Sequence, residues 1–72
     1  MNIKFEDAIV NIECIRRKES VCLFGFEIQP VDGAPYHSGF IESDNAKDAA
    51  GIVVDAWRNG NLEVFQKNVY RL

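Results

Sequence analysis

Along residues 21–28 the side chains alternate: Cys22, Phe24, Phe26 and Ile28 share one parity, Val21, Leu23, Gly25 and Glu27 the other. A period of two matches the pleat of a β-strand, so this segment is predicted to turn its first set toward a core. Residues 8–15 admit two readings. Phe5, Ala8, Ile9, Ile12 and Ile15 fall near one helical stripe, but a helix would leave Val10 and Cys14 in water. As a strand, Ala8, Val10, Ile12 and Cys14 line one face, and the β-branched content suits a pleated surface. Strand is the reading adopted. Arg16-Arg17-Lys18-Glu19-Ser20 then connects the two strands as a hairpin loop. A loop centred on Lys18 would set Cys14 directly across from Cys22.

Asp32-Gly33 between Pro30 and Pro35 marks a turn, with glycine free to take positive φ. A third strand follows over residues 36–42, with Tyr36, Ser38 and Phe40 on one side and His37, Gly39 and Ile41 on the other. The period then changes. Ala46, Ala50, Val53 and Trp57 recur at helical spacing, flanked by Ala49 and Ala56, while Asp44, Lys47, Asp48, Asp55 and Arg58 take the opposite side. Ser43 or Asp44 is the expected N-cap, and Gly60 the expected left-handed stop. Gly51, inside the helix, is expected to mark close packing of helix on sheet. Residues 62–70 read as a fourth strand. The predicted fold is α+β: one small domain over residues 1–72, ordered β-β-β-α-β. Its four strands form a mostly antiparallel sheet of order 3-2-1-4 with the helix on one face, the last strand entering by a right-handed crossover.

With 72 residues there is room for one domain and none for a catalytic domain beside a cofactor domain. Eleven acids against eight Lys and Arg give a formal charge of −3, which argues against a protein devoted to gripping phosphates. No basic leader precedes an apolar stretch and no window is apolar enough to span a membrane, so the expected location is the cytoplasm. Two cysteines eight residues apart and one histidine do not compose a zinc site, so neither metal nor cofactor is expected, and the thiols should be reduced.

Enzyme chemistry finds little support. His37 adjoins Ser38, but neighbours on a strand point to opposite faces and cannot share a proton. Phosphate-cradling glycine loops, nucleophile elbows and zinc-protease motifs are missing from the sequence. Three surfaces remain. Arg16, Arg17 and Lys18 form a basic hairpin tip, the alternative reading being a small nucleic-acid-associated module. A three-stranded sheet backed by one helix resembles the DNA-reading domain of some phage integrases, but here Glu13, Glu27 and Glu42 lie along the strands. Glu42, Asp44, Asp48 and Asp55 form an acidic group around the helix that could mimic phosphates, interrupted by Lys47 and Arg58.

Val21, Leu23, Ile9 and Ile15 lie on the sheet face away from the helix, ringed by Asn11, Glu13 and Glu27, and Val21 and Leu23 with Trp57, Tyr36 and Tyr70 are the candidate partner-binding residues. In element order the chain is similar to small phage-encoded inhibitors, among them anti-CRISPR proteins and phage inhibitors of bacterial RNA polymerase. The likeness carries over no residue. It implies a small non-catalytic regulator of a host protein. The expected function is therefore a protein-binding domain that contacts another protein or a second copy of itself, with no membrane and no metal.

Overall fold

The computed structural model describes residues 1–66. Four strands, β1 (Asn2–Lys4), β2 (Ala8–Lys18), β3 (Val21–Pro30) and β4 (His37–Ser43), form one antiparallel sheet in the order β1-β2-β3-β4. Helix α1 (Ala46–Arg58) covers one face of that sheet, and a single helical turn, α2 (Glu63–Gln66), packs beside it against β4.

The segment with two readings is a strand, and a long one. Its Ala8, Val10 and Ile12 are buried together with Cys22, Phe24, Phe26 and Ile28 of β3 and Ile41 of β4. From the helix side Ala49, Ala50, Val53 and Val54 close this core. Burying a side chain the size of Ile12 or Ile28 is worth about 1.5–3 kcal/mol. The small alanines matter for a different reason, since they let the helix backbone sit close to the large residues of the sheet.

Three expectations about topology are corrected. The place beside β2 belongs to β1, with Ile3 opposite Val10, so the order 3-2-1-4 does not hold among the described residues. A strand of three residues offers one inward side chain, too little alternation to be legible. Among the described residues every pair of neighbouring strands is antiparallel, because no helix intervenes between paired strands. The start of the expected fourth strand is instead α2: Leu62 is buried, and Phe65, three residues on, meets Phe26 edge to face at 6.4 Å between centroids. A spacing of three fits a helical turn, and it leaves Val64 exposed. Tyr70 and the remainder of that expected strand lie outside the described residues.

The hairpin between β2 and β3 is tighter than expected. Lys18 pairs with Val21, so only Glu19 and Ser20 turn the chain, with Glu19 at φ 58°. The register then shifts between Cys14 and Arg16, a β-bulge centred on Ile15. Cys14 consequently stands opposite Phe24, and Cys22 stands opposite Arg17.

The N-cap of α1 is Asn45 rather than Ser43 or Asp44. Its side-chain oxygen accepts from Asp48 N–H at 2.8 Å, and its amide donates to the Asp48 carboxylate at 3.0 Å. Ser43 is still part of β4 and Asp44 bridges the two elements. At the other end Gly60 has φ +74°, with Asn61 N–H bonded to Ala56 O and Gly60 N–H to Trp57 O. This is the two-bond Schellman closure that the Asn59-Gly60-Asn61 sequence calls for. Gly33, in the β3–β4 turn, likewise takes φ +87°.

Gly51 does not have the role expected of it. A Cβ built there meets nothing within 4 Å, so the residue is not wedged against the sheet. It faces a hollow beside β1. Its cost to the helix, about 1 kcal/mol relative to alanine, is offset by no contact that a side chain here would make among the described residues.

Candidate protein-contact surface

The sheet face away from α1 is built by the odd-numbered side chains of β3. On it lie Val21, Leu23, Gly25 and Glu27, paired with Lys18, Arg16, Glu13 and Asn11 of β2. Across β4 the same face carries Ser38, Phe40 and Glu42, opposite Glu27, Gly25 and Leu23. At the middle of this face Gly25 supplies no side chain, and two neighbours use the space. Ile15 reaches in until its Cδ1 is 2.8 Å from where a Cβ would sit, and the Phe40 ring lies 3.9 Å away from that point. The bulge makes this possible, since it places an additional residue, Ile15, on the surface above the central strand.

Leu23 is only 7% exposed although it faces away from the main core, whereas Ile15 is 47% exposed and Val21 is also exposed. Ile15, Val21, Leu23 and Phe40 therefore form a small apolar group of their own on the uncovered face. Beside it a shallow depression of about 530 Å³ extends over Gly25 between Ile15 and Phe40, edged by Asn11, Glu13, Glu27 and Ser38. Of the four, the sequence places Val21, Leu23 and Ile15 on this face, and Phe40 is the one it does not assign there. The alternation of residues 36–42 gives two faces without saying which of them turns toward the helix, so Phe40 carries no such mark.

The other candidate residues are dispersed. Tyr36 accepts a hydrogen bond from the Gln29 side-chain amide beyond the far end of this face. Trp57 is half-buried and packs against the main core, on the helix side of the sheet. The basic tip is divided by the hairpin pairing: Arg16 and Lys18 take the open face with Leu23 and Val21, while Arg17 pairs with Cys22 on the helix face. The acidic group is divided as well. Glu42 belongs to the open sheet face, Asp48 is tied to the helix cap, and Asp55 lies 3.6 Å from Arg58.

One ion pair is well formed. Arg58 donates from Nε and Nη2 to the two carboxylate oxygens of Asp7 at 2.9 and 2.7 Å, joining the end of α1 to the β1–β2 turn. These bonds from Arg58 hold the Asp7 carboxyl below the usual carboxylate range and raise the guanidinium in turn. The same guanidinium lies 5.9 Å from the centre of the Phe5 ring. Cys22 is buried, and the neighbouring Cys14 thiol, followed by burial, pushes its pKa up. Both cysteines are free thiols.

His37 and Ser38 occupy opposite faces of β4, paired with Ile28 and Glu27 respectively. Among the described residues no three His, Cys, Asp or Glu side chains gather as metal ligands. No helix among them is long and apolar enough to cross a membrane. In comparison with known proteins, no family model, curated protein or solved structure matches this chain.

Proposed function

We propose that this chain is a non-catalytic protein-binding domain whose contact surface is the open sheet face around Ile15, Val21, Leu23 and Phe40. The reading rests chiefly on one observation, an apolar group assembled on the face that α1 leaves uncovered, with Ile15 and Val21 exposed at its top. In a domain this small the helix and sheet already have a complete core, so a second apolar group on the opposite face is more than incidental exposure. The polar surround of Glu13, Glu27 and Glu42, with Arg16 and Lys18 toward the hairpin end, has the anatomy of an apolar centre within a polar rim. Regulation of a protein of the source cell, as for the small phage-encoded inhibitors, is the form of activity this surface would serve. The basic tip supports the nucleic-acid alternative less well, since Arg17 faces away from Arg16 and Lys18.

Affinity capture from a lysate of the source organism tests the proposal when run with variants. A partner held by the wild type should be lost by the Ile15→Glu, Val21→Glu double variant and kept by Val31→Glu, a control at an exposed apolar residue in the β3–β4 turn. Equal capture by all three would overturn it.

A further inference from the structure

We propose that a second copy of this chain docks along the outer edge of β1, joining two sheets about a two-fold axis that passes beside Ile3. This edge is separate from the open face discussed above, and the inference does not depend on that reading.

Three observations lead to it. The first is the backbone. Met1 and Ile12 exchange both hydrogen bonds, Met1 N–H to Ile12 O at 3.2 Å and Ile12 N–H to Met1 O at 2.9 Å. In an antiparallel ladder, bonded pairs alternate with unbonded ones. The pairs Asn2·Asn11 and Lys4·Ile9 are therefore unbonded, and the N–H and C=O groups of Asn2 and Lys4 turn outward. Antiparallel pairing of β1 with its copy would set Asn2 opposite Lys4 of the second chain at both ends, giving four hydrogen bonds around the axis.

The second is the groove between β1 and α1, a hollow of about 640 Å³ that includes Ile3, Phe5, Gly51 and Ile52. Ile52 is 48% exposed, an apolar residue at mid-helix that the domain leaves half in water. Gly51 beside it has open space where a side chain would be. An interior helical glycine with open space beside it among the described residues is accounted for if another chain approaches there.

The third is charge, which selects a copy over an unrelated strand. Helix α1 runs in the same direction as β1: its start shares a hollow with Met1, Asn2 and Ile3, and Arg58 at its end reaches Asp7. Lys47 and Asp55 both line the groove, four residues to either side of Gly51. A two-fold axis reverses the second helix, so Lys47 of each copy faces Asp55 of the other. The groove rim is complementary to itself.

Sedimentation of the full chain over a range of concentrations tests this. The wild type should show a monomer–dimer equilibrium that weakens with salt. Lys47→Asp and Asp55→Lys should each weaken dimerisation by about tenfold or more, and the double variant should restore it, because each reversed charge again meets its opposite. Gly51→Leu, placed where the domain has space, should leave helical circular dichroism intact and abolish the dimer. A wild type that is monomeric throughout overturns the proposal, as does a double reversal no better than the single ones. A chain that is monomeric alone and gains mass only with a different protein overturns it in favour of a foreign strand on the same edge.

Discussion

Arg58 and Asp7 meet in a two-pronged ion pair across 51 positions of sequence, fastening the last turn of α1 to the bend between β1 and β2. The pair is partly open to solvent, so its contribution is modest and screened by salt. Its geometry nevertheless gives it a signature in pH. The Asp7 carboxyl is held below its ordinary value of 3.8. The stability it adds is thus fully present above that pH and is lost as pH falls through the lower, folded-state value. Denaturant midpoints measured from neutral pH into acid should decline below about pH 4. Asp7→Asn should be less stable at neutral pH and show a shallower acid decline.

Two glycines in the sheet should respond differently to the same substitution. At Gly25 an added methyl meets the Cδ1 of Ile15 at 2.8 Å, the end of a half-exposed chain that can swing outward. At Gly39 it meets the Phe65 carbonyl oxygen at 2.8 Å and the Phe26 ring at 2.9 Å. Neither can yield without moving α2 or the core. Gly25→Ala is expected within about 0.5 kcal/mol of wild type, and Gly39→Ala to destabilise by about 1–3 kcal/mol. Equilibrium unfolding in urea separates the two.

Glu19 occupies the left-handed region at φ 58°, where a side chain costs about 1–2 kcal/mol and glycine costs nothing. Glycine adds unfolded-state freedom worth about 0.5–1 kcal/mol, so the two effects partly cancel. Glu19→Gly should stabilise by roughly 0.5–1 kcal/mol, read as a rise in thermal midpoint, whereas Ser20→Gly should not.

The thiols should be distinguishable by reactivity. Cys14 is exposed, while Cys22 is buried with its pKa raised by the adjacent Cys14 thiol and by burial. One equivalent of a thiol reagent should react quickly with the native protein, and the second only on unfolding. Above the ordinary thiol value of 9.0 an unfolded Cys22 ionises before the folded one does. Its contribution to stability is therefore present below that pH and lost in strong alkali.

Most of the fold was legible because its signals are local. The alternation of Cys22, Phe24, Phe26 and Ile28 marked the central strand and the burial of all four. Asn59-Gly60-Asn61 marked the helix stop, and Asp32-Gly33 the turn. What was not legible depends on pairing. Whether β2 continues through Arg16, Arg17 and Lys18 is decided by partners on β3, because nothing in three consecutive cations distinguishes a strand end from a loop. Ile3 offers one inward residue, which cannot establish a strand by itself. Leu62 and Phe65 read as alternation or as a helical turn until Phe26 selects the turn. The open face is legible through Val21, Leu23 and Ile15. The reach of Ile15 over Gly25 depends on a bulge, and a bulge becomes visible only when two strands are laid side by side.

The order β1-β2-β3-β4 also bears on how the chain reaches its native state. Every strand lies next to its neighbour in sequence, so the sheet can grow by successive hairpins, each closing a short loop at small entropic cost. Among the described residues no strand has to wait for a distant segment to arrive, and the crossover that a 3-2-1-4 sheet would have required is absent. The contact of longer range is the docking of Ala49, Ala50, Val53 and Val54 onto that sheet. Connectivity of this kind is associated with rapid folding among domains of mixed structure, and with brief exposure of unpaired edges on the way.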